Sequence, residues 1–479
     1  METIIGREEE KKILSEALRS IDAELITVYG RRRIGKTFLV RNFFEKYIKF
    51  ELTGIHNASM KDQLHNFSLA LQESMGIPVP PASPGNWIDA FKMLSDHLQK
   101  KVNKEPLVVL FDELPWICTP KSSFLQAFGH WWNTWASRNP LIKVVICGSA
   151  ASWMIRHIIN DRGGLHNRVT QRIRLLPFTL AETEEFLKHH GVKLDRYQVL
   201  KIYMAMGGVP HYLKQVRRGE SAAQTVDKLC FSKNGMLKTE FTDLYQSLFA
   251  HAENHEAIVR TLSKKAKGMT RAEIIAACKF TTGGWTSELF EELEQSGFIT
   301  PYIPFGRSVR DTIYKLSDEY SLFYLKFIEG TKATGTGTWL RLSKSPSYTS
   351  WSGFAYEAVC LKHVDPIKQA LGIAGVYTEA SAWRYDAIKG EKGAQADLLL
   401  DRADHCINLC EIKFSADEFV IDKKYAGEID NKVRVFKEQT KVKKTIFPTM
   451  ITTYGTRQNE HYTGRIIREV VMDDLFKTG

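Results

Sequence analysis

The stretch Gly30-Arg31-Arg32-Arg33-Ile34-Gly35-Lys36-Thr37 has the spacing G-x-x-x-x-G-K-[ST] of a phosphate-binding loop. The apolar run Leu25–Tyr29 before it predicts a buried strand, and the pattern from Phe38 to Phe44 after it predicts a helix. In that setting, successive backbone N–H groups point at phosphate oxygens, and the helix N-terminus adds partial positive charge. The alternative is a chance glycine-rich turn, which the flanking strand and helix patterns disfavour. We therefore predict that residues 30–38, Phe38 included, bind a nucleotide.

An acidic pair, Asp112 and Glu113, follows a second apolar strand, Leu107–Phe111. Lys36 of the loop would reach the β- and γ-phosphates, and the Thr37 hydroxyl would ligate Mg²⁺. Asp112 would hold the same ion through water, while Glu113 would orient and deprotonate the attacking water. These residues predict ATP and Mg²⁺ as ligands.

Helical and apolar-strand patterns alternate to about residue 180, which predicts a parallel sheet flanked by helices. Another strand, Ile142–Cys147, is followed by Ser149, whose hydroxyl at the strand tip would sense the γ-phosphate. Residues 180–250 have a mainly helical pattern. Residues 331–350 are rich in Gly, Thr and Ser and predict a linker, after which a new α/β pattern begins.

Several motifs within residues 1–330 together resemble an AAA+-related ATPase of the signal-transducing (STAND) group, in particular the archaeal-type ATPase family. They are GREEE at Gly6–Glu10, the arginine-rich loop itself, Asn167-Arg168 followed by Ile173–Phe178, and Met206–Pro210. The resemblance implies that the first element packs by the adenine and that Pro210 approaches the nucleotide base from a helical lid. It also implies a homo-oligomer as one option, because relatives often work with an arginine supplied in trans.

The arginines near the phosphate site leave several roles open. Arg168 is a candidate for stabilising charge on the transferring phosphoryl group, and the alternative is a surface salt bridge. Arg31, Arg32 and Arg33 lie inside the loop and would face the nucleotide, DNA or a neighbouring subunit. The sequence does not choose among these partners.

Residues 251–330 have the pattern of a helix-turn-helix followed by a hairpin, which predicts a winged helix. Thr270 is a plausible N-cap for the first helix, with Glu273 at the third helical position. The second helix, from Trp285 to Gln295, is acidic and would oppose a phosphate backbone. Only the hairpin is basic, with Arg307 and Arg310, so a lid or partner surface is the alternative to DNA contact.

A carboxylate–lysine pattern lies near the C-terminus. Residues 394–402 and 407–414 predict two strands joined by a turn centred near Asp404, which places Asp397 directly opposite Glu411. Side chains alternate along a strand, so Glu411 and Lys413 share a face. Two carboxylates can bind Mg²⁺ and a lysine can activate water, and an upstream helix could deliver Glu357 to the same metal. Charged alternation on an ordinary edge strand is the alternative.

This pattern resembles the PD-(D/E)xK nuclease superfamily, although Ala396 stands where the superfamily name has proline. The combined prediction is an α/β protein of five parts. These are a P-loop parallel-sheet ATPase core (1–180), a helical lid (181–250), a winged helix (251–330), a linker (331–350) and a restriction-endonuclease-like domain (351–479).

Composition adds weaker constraints. Lys and Arg number 66 against 55 Asp and Glu, a formal charge of +11 that fits a nucleic-acid partner such as DNA, or a bland basic surface. The seven cysteines are scattered and predict free thiols in a reducing compartment. Without a signal-peptide or membrane-spanning pattern, we expect a cytoplasmic protein with no membrane partner. The predicted function is an ATP-hydrolysing regulator with a DNA-binding, nuclease-like domain; the alternative is a nucleotide-switched scaffold that binds without cleaving.

Overall fold

The structure is a computed structural model that describes residues 3–101, 105–161, 163–332, 335, 337–386 and 393–477. The chain divides into two compact units. The first unit comprises Met1–Pro177, Ser247–Ala250 and Gln295–Gly297. The second unit comprises Phe178–Gln246, His251–Glu294 and Phe298–Gly479.

The first unit is built around a parallel sheet. Its strands are β1 (Glu24–Tyr29), β2 (Ile48–Thr53), β3 (Leu107–Asp112), β4 (Ile142–Gly148) and β5 (Gln171–Arg174). Its helices are α1 (Glu8–Arg19), α2 (Lys36–Phe44), α3 (Met60–Met75), α4 (Trp87–Gln99), α5 (Leu114–Ile117), α6 (Phe124–Thr134) and α7 (Ala151–Met154). All strand pairs are parallel, in the order β2-β3-β4-β1-β5. The predicted parallel sheet flanked by helices is confirmed.

Apolar packing on both faces of this sheet explains its sequence. Strands β1, β3 and β4 are buried at every residue, which is why they read as continuous apolar runs rather than alternating ones. One face carries an aromatic cluster that includes Phe91, Phe111, Phe124 and Trp131. The other face is mainly aliphatic and packs against α1 and α2.

The sheet order positions the site residues. β4 lies between β1 and β3, and all three run in the same direction. The loop after β1, the acidic pair at the end of β3 and Ser149 after β4 therefore meet at one edge of the sheet. Ligands of open parallel sheets characteristically bind at this carboxyl edge.

The chain after Pro177 is mainly helical up to residue 263, as its pattern predicts. These helices are α8 (Leu180–His189), α9 (Arg196–Met206), α10 (Pro210–Leu213), α11 (Ala222–Val226), α12 (Glu240–Leu248) and α13 (Ala252–Ser263).

The next segment contains two helices and a small antiparallel sheet. Its elements are β6 (Met269–Thr270), α14 (Arg271–Cys278), α15 (Gly284–Gln295), β7 (Ile299–Tyr302) and β8 (Ile313–Leu316). The predicted capping box is present, because the Thr270 hydroxyl accepts from the Glu273 N–H and the Glu273 carboxylate accepts from Thr270.

The C-terminal part of the second unit is a five-stranded mixed sheet with helices. Its helices are α16 (Glu319–Phe323), α17 (Thr338–Leu342), α18 (Pro346–Lys362), α19 (Val364–Ala370) and α20 (Lys423–Thr440). Its strands are β9 (Thr378–Tyr385), β10 (Ala394–Arg402), β11 (Cys406–Lys413), β12 (Thr445–Thr452) and β13 (Arg468–Val471). The order is β13-β12-β11-β10-β9, with β9, β10 and β11 antiparallel in turn and β11, β12 and β13 parallel.

The register of the β10–β11 hairpin agrees with the sequence prediction. Leu398 lies opposite Cys410 and Asp401 opposite Ile407, so the hairpin is centred on Asp404. Just beyond the last of these pairs, the Asp397 carboxylate accepts the Ile412 N–H at 3.1 Å, which brings Asp397 beside Glu411. The strand that carries Glu411 and Lys413 is the middle one of five, which argues against an ordinary edge strand.

The structure differs from the linker predicted for residues 331–350, because part of this region is helical. Within residues 331–350, of which 333, 334 and 336 lie outside the described residues, α17 and the start of α18 are helical. The physical reason is Trp339, which is buried and stacks on Phe231 at 5.9 Å between ring centroids. The Asp227 carboxylate also accepts the backbone N–H groups of Gly337 and Trp339, both at 2.7 Å.

Among the described residues, no helix is at once long enough and apolar enough to cross a membrane.

Candidate functional site

The phosphate loop depends on a glycine at its start. Gly30 has φ +145°, and a Cβ at that position would lie 2.3 Å from the backbone oxygen of Leu175. Leu175 in turn donates its N–H to the Tyr29 oxygen at 2.8 Å, which fixes this close approach. Any side chain at residue 30 would therefore push the loop away from the sheet.

Lys36 is folded back into its own loop. Its Nζ donates to the backbone oxygens of Gly30 and Arg31, both at 2.9 Å, and the residue is buried. Burial lowers the pKa of this ammonium group, while the nearby Glu113 carboxylate raises it. An ammonium group held by neutral carbonyls can exchange these acceptors for phosphate oxygens, which are stronger partners.

Thr37 and Asp112 form the expected oxygen pair. The Thr37 hydroxyl donates to the two Asp112 carboxylate oxygens at 2.9 and 3.1 Å. Asp112 is buried, and this burial raises its pKa although the Thr37 hydrogen bond lowers it. Hydroxyl and carboxylate oxygens are ligands that Mg²⁺ prefers, so these two residues fit the ion that the sequence predicts.

Glu113 is held in place by Ser149. The Glu113 backbone has φ 48°, in the left-handed region, which turns its side chain out of the strand direction. Its Oε2 accepts from the Ser149 hydroxyl at 2.8 Å and from the Ser149 N–H at 3.2 Å. Ser149 was expected at the γ-phosphate; here its hydroxyl contacts the carboxylate that would activate water.

The three loop arginines have different surroundings. Arg31 is buried and Arg33 is exposed with φ 70°, whereas Arg32 is half-buried. The Arg32 guanidinium lies over the Trp116 ring, 5.4 Å from its centroid. Sequence reasoning missed Trp116, although its position three residues after Glu113 was a usable signal.

The remaining predicted nucleotide residues are more dispersed. Arg7 of the GREEE element is buried and donates to the Ile34 oxygen at 3.4 Å, so this element reaches the phosphate loop. Phe38 is exposed on α2, and Arg168 is exposed in the turn before β5. Pro210 begins α10 in the second unit.

Two motifs of the second unit contact each other. Phe178 donates its N–H to the Gly208 oxygen at 2.7 Å, and a Cβ at Gly208 would lie 1.9 Å from the Phe178 oxygen. The Met206–Pro210 motif therefore needs its second glycine for packing against the chain that leaves β5.

Glu411 of the C-terminal sheet is buried but not free. Its two carboxylate oxygens accept from Lys432 Nζ of α20 at 2.6 and 2.7 Å, and Oε2 also accepts from the Tyr425 hydroxyl at 3.0 Å. Burial raises the pKa of Glu411, the Asp397 charge raises it further, and Lys432 lowers it. Sequence reasoning did not single out Lys432 and so missed this pairing.

Asp397 and Lys413 lie close to Glu411. The Asp397 Oδ2 accepts the Ile412 N–H at 3.1 Å across the hairpin. Lys413 Nζ is 4.0 Å from Glu411 Oε2 and lies over the Tyr425 ring at 5.3 Å. The structure thus brings together Asp397, Glu411 and Lys413, the residues that the sequence singled out.

Glu357 lies near the same cluster but is paired with a lysine, and its role as a metal ligand stays a prediction. It was expected as a third metal ligand beside Asp397 and Glu411, but its Oε1 accepts from Lys315 Nζ of β8 at 2.9 Å, in a largely buried ion pair. Across the part of the chain that the structure describes, no three His, Cys, Asp or Glu residues gather closely enough to hold a metal ion. The charges of Asp397 and Lys413 act on the Glu357 carboxylate as well as that of Lys315, so Glu357 lies near the predicted pair.

Comparison with known proteins agrees with the geometry of the first unit. Residues 4–216 match the family described as an ATPase domain predominantly from Archaea. Residues 4–216 are therefore similar to this family, in agreement with the resemblance that the sequence motifs carry. An uncharacterised protein of Methanocaldococcus jannaschii is 22% identical over 398 residues, covering 82% of this chain and 83% of the relative.

Solved structures with a similar course of the chain are distant in sequence. A Walker-type ATPase of Pyrococcus abyssi is 18% identical and covers 67% of this chain and 96% of its own, with a TM-score of 0.48. The Aeropyrum pernix ORC2 protein, in ADPNP–ADP complexes, is 15% identical and covers 68% and 95%, with a TM-score of 0.41.

Proposed function

We propose that the protein is an ATP-hydrolysing regulator whose nucleotide state controls a nucleic-acid-binding C-terminal domain. The ATPase half rests on the site at the carboxyl edge of the first sheet. One observation carries it: the ends of three adjacent strands bring the site together. Thr37 comes after β1 and contacts Asp112 at the end of β3, and Ser149 comes after β4 and contacts Glu113, at the same edge as Lys36.

Each residue has a defined task in this proposal. Lys36 and the loop N–H groups bind the phosphates, and Lys36 releases the Gly30 and Arg31 oxygens as it does so. Thr37 and Asp112 would hold Mg²⁺, which supplies charge neutralisation on the β- and γ-phosphates. Glu113 accepts the proton of the attacking water.

The test is nucleotide binding and turnover by the full chain. We expect Lys36→Ala to abolish ATP binding in a titration with a fluorescent ATP analogue, and to abolish phosphate release. Lys46→Ala, at an exposed lysine beyond α2, is the matched control and should behave as the unmodified protein. Normal hydrolysis by Lys36→Ala would refute the assignment.

For the C-terminal domain, we propose Mg²⁺-dependent cleavage of DNA. Asp397 accepts the Ile412 N–H across the β10–β11 hairpin, beside Glu411, and Lys413 lies on the same strand as Glu411. In the proposal the two carboxylates would hold the ion and Lys413 would position the attacking water. The exchange of Lys432 for the metal at Glu411 is a required step, because Lys432 contacts both Glu411 oxygens.

Incubation with supercoiled plasmid, Mg²⁺ or Mn²⁺ and ATP tests this part. We expect nicking by the unmodified protein, and none by Asp397→Ala or Lys413→Ala, with the ATPase rate unchanged in both variants. Nicking that survives both substitutions would eliminate this site. Comparison with Lys36→Ala in the same assay tests whether the nucleotide controls cleavage.

One observation favours a second candidate, a scaffold that binds nucleic acid without cleaving it. Glu411 is already neutralised by Lys432 and Glu357 by Lys315, so the cluster is charge-balanced without a metal. The scaffold predicts a mobility shift that weakens steeply with salt and no nicking at any metal concentration.

Sedimentation with and without ATP tests the homo-oligomer that the resemblance implies.

A further inference from the structure

We propose that Arg32 is the residue that contacts the terminal phosphate of bound ATP, and that Trp116 is its positioning residue. This inference rests on the proposed ATPase function and assigns a role within the same site. The Arg32 guanidinium lies over the Trp116 indole, 5.4 Å from the ring centroid, and only Arg32 among the three loop arginines is half-buried.

The location of Arg32 points to the phosphates. Arg32 belongs to the same loop as Lys36, and its guanidinium lies over Trp116, three residues after Glu113, so both cations lie at the carboxyl edge of the sheet. Lys36 and Arg32 therefore present positive charge to the same space beside the loop. A guanidinium keeps its charge at any working pH and can donate two parallel hydrogen bonds to a phosphate.

Trp116 is a fixed platform for this guanidinium. It lies on α5, which begins directly after Glu113. The backbone N–H of Trp116 donates to the backbone oxygen of Glu113 at 2.9 Å. Its own oxygen accepts from Gln63 Nε2 at 2.9 Å, and Gln63 also bonds the Ile55 backbone at both ends of its amide. The Trp116 backbone is thus held by Glu113 on one side and, through Gln63, by Ile55 just after β2 on the other.

The neighbouring ring of His56 completes the support. Its centroid lies 5.0 Å from that of Trp116, at an interplanar angle of 57°. A cation over an indole face is attracted to the π-electrons, and the flat ring restricts the directions in which the guanidinium can point. Arg32 is therefore oriented before nucleotide arrives, which reduces the entropy lost on binding.

Two substitutions of Arg32 test the phosphate contact. We expect Arg32→Ala to lower kcat by at least about tenfold, and to weaken ATP binding far more than ADP binding, because ADP lacks the terminal phosphate. Arg32→Lys should recover part of the ATP preference but less of kcat, since lysine keeps the charge without the flat donor pair. Arg138→Ala, at an exposed arginine of the same unit, is the matched control.

The positioning role of Trp116 has a separate readout. Trp116→Ala should lower kcat by about threefold to tenfold with little change in the KM for ATP, and Trp116→Phe should restore most of the rate because it keeps an aromatic face. Equal losses of ATP and ADP affinity in Arg32→Ala would overturn the inference and leave the proposed ATPase intact. Absence of ATP and ADP binding by the unmodified protein would overturn both.

Discussion

The Ser149 hydroxyl and backbone N–H both donate to one Glu113 carboxylate oxygen. The hydroxyl therefore helps to restrain the carboxylate that is proposed to activate water. We expect Ser149→Ala to lower kcat by about threefold to thirtyfold, with the ATP dissociation constant unchanged. Ser152→Ala, at a buried serine of α7, serves as the control. An unchanged kcat in Ser149→Ala would mean that Glu113 does not need this restraint.

Lys432 carries a different kind of prediction, because its partner is almost fully buried. Removal of its ammonium group leaves the Glu411 charge unpaired, so Lys432→Ala should reduce the free energy of unfolding by about 3–5 kcal/mol. Two residues away, Arg434 pairs with Glu438 at the exposed surface, and Arg434→Ala should cost less than about 1 kcal/mol. Urea unfolding of the two variants measures the difference.

Residue positions were predictable from sequence where a motif fixes the neighbours, as in the phosphate loop and the Thr37–Asp112 contact. The spacing from Gly30 to Thr37 predicted the loop, and the apolar strand before Asp112 predicted its approach to Thr37. Partners that come from a distant element were not predictable. Neither the Ser149–Glu113 contact nor the Lys315–Glu357 pair has a signature in the chain, because each depends on how separate elements pack.

At the scale of elements, His363 joins the end of α18 to the start of α8. Its Nε2 accepts the Leu180 N–H at 3.0 Å and its Nδ1 contacts the Val359 oxygen at 2.7 Å, an arrangement that requires the neutral ring. Burial lowers the pKa of His363 from 6.5 to about 4. The unfolded chain therefore takes up a proton at higher pH than the folded chain does.

Stability should consequently fall as the pH drops from about 6.5 to about 4, and the contribution of His363 over this window is about 3 kcal/mol. Urea unfolding at several pH values measures it. In His363→Gln the slope of unfolding free energy against pH should be smaller, because glutamine does not titrate. His189→Gln, at the exposed end of α8, should keep the original slope.

The helix and strand types were predictable from the spacing of apolar residues, and the register of the β10–β11 hairpin was predictable from its turn. The β10–β11 turn is short, so its centre near Asp404 fixed the register of the pairs from Leu398–Cys410 to Asp401–Ile407. The region from 331 to 350 could not be predicted in the same way. Its composition suggests a linker, but a single Trp339 finds an aromatic pocket of Phe231, Phe323 and Phe327 and orders the chain around it.

For the whole molecule, nucleotide binding should stabilise the folded chain by mass action. At ATP concentrations of about 100 times the dissociation constant, the gain is about 2.7 kcal/mol. We expect Mg²⁺ and ATP to raise the Tm of the unmodified protein by a few degrees, and to leave Lys36→Ala unchanged. Differential scanning calorimetry measures both, and an equal rise in the variant would place ATP elsewhere.

The turn between β7 and β8 contacts the C-terminal sheet through Phe305. Phe305 donates its N–H to the Ala382 oxygen of β9 at 2.9 Å, and its ring lies 5.3 Å from that of Phe436. Gain or loss of one residue in this hairpin would move the ring off its partners. Exchange of the C-terminal sheet alone would expose the Phe305 ring to water, so the hairpin and this sheet behave as one packing unit.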